Sequence, residues 1–478
     1  LTFTFLGEPL CQPTNETSRE ILKKFLSKNH LSPCVPFHYQ SDMKHQTPFS
    51  HQLSDVAQRH EFQRLLAPVL RIFGLHKLHL ATEIVNDVFE NAAANLIFRL
   101  PGDLPAFLLE LAKKKALEAA RQPGGAQSFS MEISLALEAG QMLEALFDKI
   151  FTEKELPESR LGLLFACCHP ALPVDLRHAL ILKTHCTFSE KDIQHLRPLA
   201  DLAIFDELAN AKDLILQNAV QVSVPSARTF SPRFEEVLHT LWLLFFEGFE
   251  HNQKTIFVCR GMCDQALRTA FSLLENPATC LPKTYGLLSV FCLLAARFDP
   301  RRGRSASLIF LEEKNRSKWN QSLIDRGVAY FEQAGMLDKT CEYQLFAQIL
   351  MEHTLAPQVR FTNWFRLEEL YLHLLKVNPQ PKYHLQNAWV FSKSRSAGAA
   401  LDYLFGTAGF SDWLLGDWQT SALVGEFHRQ MKHPQEAVKF YRNAQNHAPT
   451  TALSRLLSKK ILAVEQGKKR RRRKKIKW

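Results

Sequence analysis

Apolar residues recur at helical spacing from Val56 to Gln466, and the interruptions fall at proline and glycine. Apolar positions three and four apart line one face of a helix, so each block predicts an amphipathic helix, and each break predicts a turn. With 19 Gly and 23 Pro in 478 residues, and Leu, Ala, Glu, Lys and Gln recurring in long runs, helix is favoured over strand throughout. An all-α protein is expected. The longest strongly apolar stretches, Leu241 to Phe246 and Tyr285 to Ala296, fall short of the roughly 20 residues that a membrane-spanning helix needs. No membrane association is expected.

Three helical patterns run from Val56 to Arg121, separated near Gly74 and by the turn Leu100-Pro101-Gly102-Asp103, and closed by Gln122-Pro123-Gly124-Gly125. A second unit runs from about Ser128 to Val224, with breaks at Pro157, His169-Pro170 and Pro198. Beyond Val224-Pro225 helix is nearly continuous to Gln466, interrupted at Asn276-Pro277, Asp299 to Gly303, Pro357 and Asn378 to Pro381. Short breaks between helices predict stacked helical hairpins. The last hairpin, Ala422 to Ala444, turns at His433-Pro434, presents an Ala437, Tyr441, Ala444 face, and resembles a tetratricopeptide unit. Residues 1–50 mix Pro, Asn, Ser, His and Gln with little periodicity; they are expected to be a disordered leader or linker, and Met43, the first methionine, is a candidate translation start.

The formal charge of +11 invites a nucleic-acid reading, yet nine of those charges lie in Lys468 to Lys477, which leaves +2 for the rest. Any phosphate contact by the body must therefore be local. The basic tail, residues 467–478, would attract any polyanion without sequence preference, and reads either as a disordered, solvated segment or as a dedicated binding arm. The ten cysteines include no CxxC pair, and no histidine stands at zinc-finger spacing, so reduced core thiols in a cytoplasmic protein are expected, with no metal. The chain lacks GxxxxGK[ST], GxGxxG after a strand, HExxH, GxSxG and DxDxDG. Its nearest carboxylate pair, Glu312-Glu313, reads as a solvated loop. Neither an enzyme nor a cofactor is indicated.

More specific is the stretch Pro101 to Gln122, where an apolar face (Leu104, Phe107, Leu108, Leu111, Ala112, Leu117) backs Lys113, Lys114, Lys115 and Arg121. Such a helix can pack on one side and meet phosphate on the other. Upstream, Ala81 to Phe89 (ATEIVNDVF) resembles the core-polymerase-binding helix of sigma-70 region 2, and Pro105 to Leu108 with Ala112 to Ala116 and Glu118 resembles the promoter-melting helix that follows it. The likeness continues through Leu163 to Leu172 (LLFACCHPAL), Phe245 to Phe249 (FFEGF), Leu311 to Asn320 (LEEKNRSKWN) and Tyr343 to His353. In this order the segments resemble the extracytoplasmic-function (ECF) sigma factors of the sigma-70 family that carry a long helical, tetratricopeptide-like carboxy-terminal extension.

The resemblance implies a bacterial RNA polymerase sigma factor directing transcription initiation. Its parts would be a region 2 helical bundle (51–125), a region 4 helix-turn-helix (126–225), a regulatory extension (226–466) and the basic tail. It implies core polymerase binding through Glu83, Asn86, Asp87 and Phe89, and DNA binding through Phe107, Lys113, Lys114, Lys115, Arg121, Lys191 and Lys212. Promoter DNA and core polymerase are the implied partners, with a small YCII-related protein as a further one. The chain departs from the family pattern in region 4. Between Phe188 and Leu216, Lys191, Arg197 and Lys212 face six acids, a balance of −3, and Pro198 breaks the expected turn–helix junction. A helix of that sign is repelled by phosphate, so the recognition helix reads as degenerate. The alternative reading is a sigma-derived helical scaffold for protein contacts that no longer recognises promoters.

Overall fold

A computed structural model describes residues 49–96, 103–122, 129–185, 211–249, 260–298, 316, 319–335, 341–410, 416–448 and 451–475. Among these the regular elements are helices, and no strand is formed, as the apolar periodicity predicts. The first helix, α1 (Phe49–Phe73), is apolar in its last two turns except for Arg71, and Leu65, Leu66, Ala67, Val69, Leu70, Ile72 and Phe73 are all buried there. A helix end buried on nearly every side must be wrapped by others. α2 (Leu78–Leu96), α3 (Leu104–Arg121) and α6 (Leu156–Cys167) do so. Gly74 ends α1 in the left-handed region (φ +83°), its N–H returning to the Leu70 carbonyl at 2.8 Å. An L side chain there would be strained and would also meet the His76 ring.

Two short helices, α4 (Met131–Glu138) and α5 (Leu143–Ile150), lead into α6, which starts with Pro157 in its first turn, as the sequence break suggests. Arg71 on α1 ties this region together, donating to Glu132 at 2.9 Å and to Glu155 at 2.9 Å. α7 (Val174–Thr184) follows the His169-Pro170 turn. The cysteines of α6 are core residues, as expected; burial pushes the Cys167 thiol up to about 12, despite its hydroxyl neighbour Thr184.

α8 (Ala227–Phe249) opens the second half but packs on the first. Arg233 donates to the Phe165 carbonyl at 2.6 Å, Arg177 pairs with Glu236 at 2.7 Å, and His178 meets Glu247 at 2.8 Å. The ring of Phe230 lies 5.5 Å from that of Phe165. One continuous apolar core thus runs from Leu65 to Val390, across the expected boundary at residue 225. Within it, α10 (Pro282–Ala295) is the buried axis, flanked by α9 (Arg260–Ser272), α11 (Gln321–Ala334) and α12 (Glu342–Leu355). α11 approaches closely because Gly327 offers no side chain: Ser289 of α10 donates to its carbonyl at 2.7 Å, and a Cβ there would overlap Leu293.

α13 (Trp364–Val377), α14 (Pro381–Ser394) and α15 (Ala397–Phe405) continue the stack, broken at Pro357 and at Asn378 to Pro381 as expected. α16 (Trp418–Gln430) and α17 (Pro434–Asn446) form the expected last hairpin, with Ala437, Tyr441 and Ala444 buried. Its centre is Glu426, fully buried, which accepts from Arg429 and, at 2.6 Å, from the Tyr441 hydroxyl. α18 (Thr451–Lys475) packs Leu453, Leu457 and Ile461 inward and stays helical to Lys475. The helix bounds thus run into the segment read as a basic tail. No helix among the described residues is long and apolar enough to cross a membrane.

Candidate functional site

The α2 sequence alternates at helical spacing between Ala81, Ile84, Val85, Val88 and Ala92, all buried, and Glu83, Asn86, Asp87 and Glu90, all exposed. Burial of one stripe therefore forces three carboxylates and an amide onto the opposite face. Phe89 does not join that exposed ridge. It is half-buried, with its ring stacked 6.1 Å from Phe62 of α1. Among the described residues, the ionisable group that meets the ridge is His79, 3.3 Å from Glu83. Asp87 pairs with no cation among the described residues.

α3 begins where Asp103 caps the Ala106 N–H at 3.1 Å and Pro105 fits the first turn. Leu108, Leu109, Ala112, Ala116 and Ala120 are buried, and Phe107, Leu111 and Leu117 are half-buried. Leu104, expected on the apolar face, is exposed in the first turn of α3.

The basic residues differ more from expectation. Lys113 bonds Glu110 at 2.8 Å and Asp148 at 3.2 Å, Arg121 bonds Glu144 at 2.5 Å, and Glu118 is 3.9 Å from Lys115. Its hydrogen bond to Glu110, then that to Asp148, raises the Lys113 ammonium above the usual lysine range. Lys114 alone is exposed without an ion pair among the described residues. Asp148 and Glu144 both come from α5, so a helix outside residues 51–125 pairs with two of the expected phosphate-binding cations. Sequence spacing gave no sign of this, since α5 reaches the site only through the tertiary fold.

Of the two expected region 4 cations, Lys191 lies outside the described residues, as do 186–210 and the Glu312-Glu313 pair. Lys212 is exposed and lies close enough to the Leu75–Lys77 turn for its charge to reach His76. Burial first, then Lys77 and Lys212, hold that imidazole below its usual range.

A third group lies where α10 ends. The guanidinium carbons of Arg297 and Arg316 lie 5.2 and 5.6 Å from the ring centroid of Trp319, and Arg297 donates to the Thr354 hydroxyl at 2.8 Å. His353 and Tyr371 are buried beside them. Among the described residues no group of three or more His, Cys, Asp or Glu is placed to hold a metal ion.

Two buried histidines make stability depend on acid. Burial, reinforced by Arg160, pushes His185 down to about 4, and burial with Arg297 and Arg316 pushes His353 down to about 3. The folded chain therefore refuses protons that the unfolded chain accepts below about pH 6.5, so this stability is present at neutral pH and is lost as pH falls from about 6.5 towards 4. At pH 5 the loss is about 2 kcal/mol for each histidine. Urea unfolding at pH 7 and pH 5 should show it, and His353→Gln should flatten the slope; equal stability of the wild-type chain at both pH values would contradict the assignment.

Comparison with known proteins adds likeness without an assigned activity. Residues 233–335, which include Arg297, Arg316 and Trp319, match a family of unknown function, DUF6596. The chain is 28% identical over 242 residues to an uncharacterized protein of Rhizobium meliloti (strain 1021), a match covering 50% of this chain and 57% of that protein. The chain thus spans little more than half the length of this relative. No solved structure matches.

Proposed function

We propose that the chain is a divergent sigma-type initiation subunit of bacterial RNA polymerase, acting in the cytoplasm, with its helical extension as a regulatory domain. The observation that carries this reading is the ridge of α2: Glu83, Asn86, Asp87 and Glu90 exposed on one face, held there by the buried stripe behind them. Such a ridge suits a basic partner surface, as the sequence resemblance implies for core polymerase. α3, next in the chain and packed on α2, supplies Phe107, Lys113, Lys114, Lys115 and Arg121 for promoter DNA.

One observation favours the second reading, a sigma-derived scaffold for protein contacts: the α5 acids Asp148 and Glu144 already occupy Lys113 and Arg121. The two readings part on open-bubble DNA with core polymerase, using the chain ended at Gln466 so that the basic run does not dominate. For a sigma factor, Glu144→Ala with Asp148→Ala should strengthen bubble binding and steepen its log–log salt dependence by about 2, one increment for each freed cation. Lys113, Lys114 and Lys115 changed to Gln should remove the bubble preference. A preference that is absent throughout, or indifferent to both variants, selects the scaffold reading.

A further inference from the structure

Among the described residues, the cluster at the end of α10 holds two arginines and no carboxylate bonded to either. Arg297 is 6% exposed, and its Nη2 contacts are neutral: the Thr354 hydroxyl at 2.8 Å and the Leu350 carbonyl at 3.3 Å. Its Nε–H has no partner. Arg316, only partly buried, donates to the Ala356 carbonyl. Neither guanidinium bonds a carboxylate among the described residues. The neighbouring His353, 5% exposed, leaves Nε2 without a partner, and the fully buried Tyr371 leaves its hydroxyl likewise.

Few buried polar groups in a native protein lack a hydrogen bond, and three such atoms in one neighbourhood call for a reason. Burying a guanidinium without an opposite charge costs several kcal/mol. Stacking on Trp319 returns about 1–2 kcal/mol per cation, which leaves most of that cost unmet. Burial and the mutual repulsion of the pair push Arg297 down to about 9. Among the described residues nothing supplies the two negative charges and several acceptor oxygens that would compensate the pair. A phosphate group has that charge and three acceptor oxygens. The planar guanidinium fork matches phosphate geometry, and the Tyr371 hydroxyl and the Nε2 of neutral His353 are further donors. A single carboxylate would leave one cation uncompensated.

We propose that Arg297, Arg316, Tyr371 and His353 form a binding site for a phosphate-bearing small molecule within the extension. The site is independent of the polymerase and DNA surfaces on α2 and α3. Phosphate there would compensate both arginines and tie α10 to α12 and α13, so its occupancy would set the stability of the extension.

The test is the thermal unfolding of the full chain in phosphate-free buffer at constant ionic strength, titrated with inorganic phosphate, ribose 5-phosphate, malonate or acetate. Saturating phosphate should raise Tm by about 3 °C, with acetate giving no shift. A larger shift with ribose 5-phosphate would identify a monoester as the ligand class, and an equal shift would identify the free ion. Arg297→Met should abolish the response while leaving the unliganded chain at least as stable, because it removes an uncompensated buried charge. Tyr371→Phe should weaken phosphate binding about tenfold. Arg366→Met, at a surface pair with Glu369, should change nothing. Should Arg297→Met not fold, Arg316→Met and Tyr371→Phe decide by the same titration. The proposal is overturned if phosphate and acetate act alike, if malonate matches phosphate, or if the phosphate response survives in these variants.

Discussion

Residues 226–466 expressed without residues 49–225 are expected to lose cooperative folding, with Tm lowered by 10 °C or more, or with aggregation. The continuous repeat-like pattern of the extension suggests independence, but its first helix, α8, also packs on α6 and α7 of the preceding residues. Phe230 and Phe234 of α8 stack on each other, and Phe230 packs against Phe165 of α6. Re-exposing a buried side chain of this kind costs about 1.5–3 kcal/mol. The cut also strips Arg233 of the Phe165 carbonyl, Glu236 of Arg177 and Glu247 of His178. Native stabilities are about 5–15 kcal/mol, so a few such losses consume most of what a fragment has. Circular dichroism and a thermal scan decide the matter. A fragment with the helicity and Tm of the full chain would show that the α8 contacts are dispensable.

The local layer of the fold was legible because it is encoded locally. Gly74, His169-Pro170 and Pro357 fall between helices, Pro157 and Pro381 stand in the first turns of theirs, and the α2 stripe reads directly as buried Ile84, Val85 and Val88 behind exposed Glu83 and Asp87. Ala437, Tyr441 and Ala444 sit inside their hairpin for the same reason. What could not be read depends on which helices meet. A lysine stripe looks free in sequence; Lys113 and Arg121 become paired only because α5 arrives with Asp148 and Glu144. Phe89 looked available for a partner, yet Phe62, 27 positions earlier, covers it. Nor does the chain announce a charge imbalance in its interior. Arg297, Arg316, His353 and Tyr371 are spread over four segments, and Trp319 is the residue both guanidiniums reach.

The second large effect concerns the α2 ridge. Glu83 and Asp87 lie one turn apart, exposed, and set by a buried stripe that a surface substitution leaves untouched. Glu83→Lys with Asp87→Lys should therefore fold normally, since exposed positions away from caps and cores change stability by about 0.5 kcal/mol or less. Reversal at a close charge pair across an interface costs a few kcal/mol, so two reversals should weaken a complex built on this ridge by roughly a thousandfold. His79 complicates the comparison only slightly, because its contact with Glu83 is between two exposed groups and is of little worth.

Binding of the purified full-length chain to bacterial core RNA polymerase, measured by co-elution and by titration, tests the central claim most directly. The sigma reading predicts a stable complex with the wild-type chain and its loss in the Glu83→Lys, Asp87→Lys chain, with unchanged circular dichroism and an unchanged Tm. A wild-type chain that does not bind core polymerase, or a doubly reversed chain that binds as well as the wild type, would contradict it.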